Sequence, residues 1–393
     1  MDVFKKCFEY TRAEDTKKTG LYPYFTEIGS VEGNYVWVDG KKLLMVGSNN
    51  YLGLFDDPAI KQAAIDAIKK YGSSTCGSRF LNGTYSLHVE TEEKLAKFMG
   101  KEEALTFSTG YQTNVGVIST IAGRNDIIVV DRMVHASIMD ATRMSFADVV
   151  KYKHNDMADL EDKLTRIPED KGILIIVDGV FSMEGDMANL PEVVRIAKKY
   201  NTRIMVDDAH GVGVLGKLGR GTCEHFNVLD DVDLIMTTFS KSFASLGGFV
   251  VGSKTIMQYI KHTARSLIFS ASITPPALGS VLKALEIIQS EPKRRERLWE
   301  ITHTVNRELT NMGYHTGNTE TPIIPVFIRD DEKTFKLWHF LRDFGIFTNP
   351  VVSPAVPPED ALIRTSFTAT HTDEQLEFIL DGFRKGGKAL GII

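Results

Sequence analysis

Short runs of branched apolar residues recur through the middle of the chain and alternate with longer amphipathic stretches. Segments 104–107, 127–130, 173–177, 203–206, 234–237 and 249–251 predict strands, being short, apolar and followed by turn-forming or polar residues. Several are apolar at consecutive positions rather than at every second one. A strand of that kind is buried on both faces, so the pattern predicts an α/β fold with a mostly parallel sheet covered by helices. Between the strands, 157–166 reads as a helix introduced by Asn155-Asp156. Segment 191–200 reads as another, with Pro191 near a start where its missing N–H is harmless.

After Pro275-Pro276 the periodicity turns helical over 278–290 and again over 293–312, where charges dominate one face. That stretch is expected to bridge two domains. Beyond it, 323–328, the helix-like 332–344, then 361–368 and the helix-like 373–390 form an α+β unit. A chain of 393 residues exceeds the roughly 250–300 at which one core stops growing. The expected division is an N-terminal segment 1–50, a large domain 51–290 and a small C-terminal domain 291–393.

Composition narrows the function classes. Apolar residues at 43% and charged residues at 25% describe an ordinary globular protein, and a net charge of −5 gives no reason to expect a nucleic-acid partner. The densest basic run, Lys293-Arg294-Arg295, reads as a solvated helix face. Cys7, Cys76 and Cys223 are far apart and lack CxxC spacing, so no metal site or disulfide framework is expected, and a cytoplasmic setting fits. The N-terminus has no apolar signal core, and no run of about 18 apolar residues predicts a membrane span.

The sharpest chemical signal is Ile204-Met205-Val206-Asp207-Asp208-Ala209-His210, an apolar strand ending in an acidic pair and a histidine. The next strand also ends in a polar run, Thr238-Phe239-Ser240-Lys241, followed by Gly247-Gly248. Ligands of open parallel sheets bind outside the carboxyl ends of the strands, so Asp207, His210 and Lys241 would share one crevice. An arbitrary Lys–Asp pair is more often a structural ion pair. Here Thr238 and Ser240 supply hydroxyls for a phosphate, the glycines allow close approach, and Ser108-Thr109-Gly110-Tyr111 offers N–H groups at a helix start. A phosphate site, a lysine able to form a Schiff base and an acid for a pyridinium nitrogen together describe pyridoxal 5′-phosphate.

Further motifs carry a family resemblance. They are Ser48-Asn49-Asn50-Tyr51-Leu52-Gly53-Leu54, Gly77-Ser78-Arg79-Phe80-Leu81-Asn82-Gly83-Thr84, His135-Ala136-Ser137 and Phe181-Ser182-Met183-Glu184-Gly185-Asp186. With the strand-end motifs, and in this order over nearly the whole chain, they resemble the α-oxoamine synthases. These are fold-type I pyridoxal-phosphate enzymes that condense amino acids with acyl thioesters. The resemblance implies a large, mostly parallel seven-stranded sheet domain, a smaller C-terminal α+β domain, and a homodimer with shared active sites. It implies that Lys241 carries the cofactor and that Asp207 pairs with the pyridine nitrogen. His210 would bond the phenolic oxygen with Ser182 nearby, and His135 would stack on the ring; from the residues alone, His135 reads as a satisfied loop histidine. Gly110, Tyr111, Thr238 and Ser240 would hold the phosphate, with Ser270 donated by a second subunit. Arg364 would clamp the amino-acid carboxylate, with Asn50 and Tyr51 at the substrate entrance. Asp208 stands where the family commonly has Glu.

Segments Leu21-Tyr22-Pro23-Tyr24-Phe25, Phe269-Ser270-Ala271-Ser272 and Asn349-Pro350-Val351-Val352 resemble the lipid branch of the family. That branch condenses serine or cysteate with a long-chain acyl thioester, carried on coenzyme A or acyl carrier protein, to sphingoid or sulfonolipid precursors. The alternatives are 8-amino-7-oxononanoate synthase and glycine C-acetyltransferase activity. Gly211-Val212-Gly213-Val214-Leu215-Gly216 matches the dinucleotide fingerprint, but Asp207–His210 intervenes after the strand and the following residues continue as loop, so a dehydrogenase is disfavoured. A non-catalytic subunit would be expected to have lost Lys241.

Overall fold

The computed structural model describes residues 2–353 and 355–393, which divide into two units. The larger spans Asn49–Trp299 and Glu320–Pro322, and the smaller comprises the chain up to Ser48 with Glu300–Thr319 and Ile323–Ile393.

The larger unit is built on seven strands: β1 (Glu103–Phe107), β2 (Asp126–Asp131), β3 (Asp148–Tyr152), β4 (Gly172–Asp178), β5 (Arg203–Asp207), β6 (Leu234–Thr238) and β7 (Gly248–Gly252). Their order is β1-β7-β6-β5-β4-β2-β3; β7 runs antiparallel to both neighbours and every other pair is parallel. Ile128, Val130, Ile176 and Met205 join a core with Val117, Ile118, Ile138 and Ile260 from helices Gly110–Ile121, Ala136–Met144 and Lys254–Thr263. Val129, Ile175, Val177 and Val206, at the alternate positions, are equally buried, which accounts for the unbroken apolar runs. The register sets Asp178 opposite Asp207. Strands β2, β4 and β5 therefore each end in an aspartate at one edge, and β6 ends there in Thr238.

In the smaller unit, Lys41–Met45 pairs antiparallel with Tyr35–Val38 and parallel with Ile346–Phe347. A three-stranded antiparallel sheet orders Ile323–Phe327, Leu362–Ser366 and Asn349–Val351. Leu44 and Val46 share a core with Trp338, Ile363 and Phe383, so the N-terminal stretch packs with the C-terminal residues rather than standing apart.

Of the basic run at 293–295, Lys293 is exposed as expected, but Arg294 and Arg295 do not form a solvated face. Arg295 is buried and donates to the carbonyls of Ile288 (2.6 Å) and Lys217 (2.9 Å), while Arg294 pairs with Asp57 at 3.0 Å. These arginines serve a carbonyl in the last turn of helix Pro275–Ser290, a loop carbonyl and a helix N-cap, which charge density alone does not reveal. Among the described residues, no helix is long and apolar enough to cross a membrane, and no His, Cys, Asp or Glu cluster could hold a metal.

Candidate active site

Lys241 sits in the turn between β6 and β7. Phe239 and Phe243 on either side of it are fully buried; their rings meet edge to face at 5.3 Å between centroids, and Phe239 stacks on Phe249 at 5.4 Å. The Phe239 N–H bonds Gly247 O at 2.9 Å and the Ala244 N–H bonds Lys241 O at 3.0 Å. Two aromatic anchors and a closed turn thus fix the backbone that presents the lysine. A cavity of about 210 Å³ opens beside it, at the carboxyl edge of the sheet.

One end of this cavity suits an anion. Thr109 caps the helix Gly110–Ile121, its Oγ1 accepting from Gln112 N at 3.0 Å, and the first N–H groups of that helix belong to Gly110 and Tyr111. The Thr238 and Ser240 hydroxyls lie 2.9 Å apart on the same lining. Gly110 is required by close approach: a Cβ there would come within 2.8 Å of the Thr238 side chain. The Tyr111 hydroxyl instead donates to Asp140 at 2.6 Å.

The other end is acidic. Asp207 is 5% exposed and accepts from Asn114 Nδ2 at 2.7 Å and from the Ala209 N–H at 3.1 Å. Asp178, also on the lining, takes the His135 N–H at 3.1 Å; burial and then the neighbouring Asp207 push its carboxyl well above the usual range. His135 is the N-cap of helix Ala136–Met144, its Nδ1 accepting from the Ser137 N–H at 3.2 Å. Burial holds its imidazole below its ordinary value against the pull of Asp207, with the Lys241 charge adding to the lowering. His210 Nδ1 lies 2.7 Å from the Tyr51 hydroxyl, both groups being buried. Asp208 faces away from the cavity: it receives the Thr222 N–H at 2.7 Å and the Thr222 hydroxyl, and burial raises it to about 7 despite those bonds.

Of the residues singled out from the sequence, Gly110, Tyr111, His135, Ser182, Asp207, His210, Thr238, Ser240 and Lys241 line this one cavity. Tyr51 reaches it through His210. Asn50 does not line it; its Oδ1 accepts from Leu54 N at 2.9 Å and caps its own turn. Ser270 Oγ accepts from Gln112 Nε2 at 3.0 Å, beside the capped helix start. Arg364 lies in the other unit, buried on Leu362–Ser366 and donating to Ser366 Oγ at 2.9 Å. The glycine-rich 211–216 motif forms a loop in which Gly213 and Gly216 have φ of 88° and 82°, and it opens no helix. Asn114, Ser137 and Asp178 were not singled out as site residues. A signal existed for Asp178, since it ends an apolar strand just as Asp207 does, and for Asn114, a polar residue amid Val115, Val117 and Ile118.

Residues 41–383 match the aminotransferase class I and II family. The chain is 55% identical over 373 residues, 95% of its length and 94% of the relative's, to a serine palmitoyltransferase of Sphingobacterium spiritivorum. It is 51% identical to one of Bacteroides thetaiotaomicron, over 99% of both chains, and 40% identical to an 8-amino-7-oxononanoate synthase of Thermoanaerobacter pseudethanolicus, over 97% of both. Among solved structures it resembles an S. paucimobilis serine palmitoyltransferase with a bound PLP–myriocin aldimine, at a TM-score of 0.96, 34% identity and full coverage of both chains. The chain belongs to the aminotransferase class I and II family, in the α-oxoamine synthase group that includes these serine palmitoyltransferases.

Proposed function

We propose that this protein is a pyridoxal-phosphate-dependent C-acyltransferase that joins serine to a palmitoyl thioester, releasing CO2 and the free thiol and leaving a long-chain 3-keto-2-amino alcohol. The observation that carries the reading is Lys241 and Asp207 on one small cavity with an anion-suited helix start, in a chain 55% identical to a serine palmitoyltransferase. Identity to the 8-amino-7-oxononanoate synthase is lower, at 40%.

The residues present fit the cofactor. Gly110 leaves room where a Cβ would strike Thr238, so a phosphate could meet the N–H groups of Gly110 and Tyr111 and the hydroxyls of Thr238 and Ser240. Asp207 would accept from the pyridine nitrogen, His135 would lie on the ring, His210 and Ser182 would serve its phenolic oxygen, and Lys241 would hold it covalently. Ser270 of a second copy would complete the phosphate site in a homodimer. Bound there, pyridoxal phosphate supplies an aldehyde that condenses with amines and a pyridinium that withdraws electrons from the amino acid's Cα.

The chain's own groups do the rest. The Lys241 amine takes the proton from Cα of serine. Asp207, held by hydrogen bonds from Asn114 and the Ala209 N–H, would accept from the ring nitrogen and favour its protonated form. His135, its pKa lowered, remains a neutral surface that adds no positive charge next to that nitrogen. Arg364 would hold the serine carboxylate, and Tyr51 fixes His210, with Asn50 shaping the turn before them.

The test is a panel of serine, cysteate, alanine and glycine, each assayed with palmitoyl, pimeloyl and acetyl thioesters. Serine with palmitoyl thioester should give the highest kcat/KM. A preference for alanine with pimeloyl thioester, or for glycine with acetyl-CoA, would overturn the reading.

A further inference from the structure

Between the acid and the imidazole of the cavity runs a chain of hydrogen bonds of which the roles above use only the first link, Asn114 to Asp207. Asn114, on the second turn of helix Gly110–Ile121, is 1% exposed, and its Nδ2 stands 2.7 Å from Asp207 Oδ2 and 2.8 Å from Ser137 Oγ. The amide nitrogen only donates, so it gives one hydrogen to Asp207 and the other to Ser137. The Ser137 hydroxyl then has its own hydrogen for His135 Nδ1, 2.7 Å away, where the Ser137 N–H also points. Nδ1 is therefore an acceptor, and the neutral imidazole carries its proton on Nε2.

A second observation shows that the amide is set for its nitrogen. Asn114 Oδ1 is buried without a hydrogen-bond partner. A buried orphan carbonyl is destabilising, so the packing favours two donated bonds over satisfying the oxygen. Asp at this position, buried against Asp207, would hold a proton and keep one donor. Leu would keep nearly the same shape and offer none.

We infer that Asn114 is a positioning residue. By donating to Asp207 and Ser137 at once, it points the Ser137 hydroxyl hydrogen at His135 Nδ1 and couples the two side chains that would hold the cofactor's ring. The expected effect on cofactor affinity rests on the pyridoxal-phosphate reading; the hydrogen-bond relay belongs to the protein without cofactor and is read separately.

Two measurements test it. In cofactor-free protein labelled with 15N-histidine, the His135 Nδ1 resonance should move toward that of an unbonded acceptor nitrogen in Ser137→Ala. It should move the same way in Asn114→Ala, although Asn114 does not touch His135, and stay in place in Ser137→Thr, which keeps the hydroxyl. In titrations with pyridoxal phosphate, each alanine variant should raise Kd about fivefold to tenfold, and the double variant should be no weaker than the weaker single one, since one break opens the relay. An unmoved Nδ1 resonance in Asn114→Ala, or Kd effects that multiply in the double variant, would overturn the inference. Should Asn114→Ala fail to fold, Asn114→Leu, which fills the same space and donates nothing, supplies the same comparison by resonance and Kd. If the wild-type protein binds no pyridoxal phosphate, the cofactor reading falls while the resonance result still decides the relay.

Discussion

Replacing His154 by Gln should destabilise the larger unit in a pH-dependent way. The imidazole lies between two carboxylates, with Nδ1 3.1 Å from Asp131 and Nε2 3.0 Å from Asp186. Both nitrogens must donate, so the ring is an imidazolium. Burial opposes that charge, but the hydrogen bonds to Asp131 and Asp186 outweigh it and lift the pKa from 6.5 to about 10. A rise of that size bounds the contribution at roughly 5 kcal/mol. Removing one member of a buried charge cluster costs about 3–5 kcal/mol, and here Asp131 keeps the N–H groups of Met133 (2.8 Å) and Asn155 (2.7 Å) as partial compensation. A loss of roughly 2–4 kcal/mol near pH 6 follows, or about 4–16 °C in Tm for a unit of this size. Because the folded value lies above the unfolded one, the contribution is complete below pH 6.5 and is lost as the pH rises through about 10. Calorimetry of both proteins at pH 6 and pH 10 reads the gap. A gap undiminished at pH 10, or none at pH 6, would refute the reasoning. The clamp also bears on the site, since Asp186 closes the loop that carries Ser182 through Phe181 N–H to Asp186 O at 3.0 Å.

Three further outcomes are expected. Asp207→Asn should keep the fold, by circular dichroism and Tm, and lose about 10²–10³-fold in kcat, because a neutral amide cannot hold a positive ring nitrogen; near-normal turnover would point to Asp178 as the working carboxylate. Gly110→Ala places a Cβ 2.8 Å from Thr238 and should weaken cofactor binding about tenfold or more, measured by titration at constant Tm. Arg364→Ala should raise KM for every amino acid of the panel alike, since all share the carboxylate; an effect on one alone would show that Arg364 reads the side chain.

The apolar runs made six of the seven strands legible to within a residue or so at each end. β3 escaped because it is an edge strand: Asp148, Val149 and Lys151 are exposed, leaving too short an apolar stretch to notice. The pairing of Lys41–Met45 with Ile346–Phe347 was beyond reach for a different reason, since it joins chain segments some three hundred residues apart and leaves no local pattern. At the site, residues that announce themselves at strand ends, Asp207 and Lys241, could be read directly. Asn114 gave only a weak signal, one amide amid Val115, Val117 and Ile118, and its role shows only once its partners on two other elements are seen. Arg294 and Arg295 erred in the opposite direction, because charge density says nothing about the helix-end and loop carbonyls or the N-cap carboxylate waiting beside them.

The measurement that tests the central claim most directly is where the cofactor is anchored. The wild-type protein, loaded with pyridoxal phosphate, reduced with borohydride and digested, should yield one modified peptide, with the adduct on Lys241 by mass spectrometry. Lys241→Ala treated in the same way should yield none and should make no condensation product from serine and palmitoyl thioester. An adduct on a different lysine, or a Lys241→Ala variant that still turns over, would contradict the account.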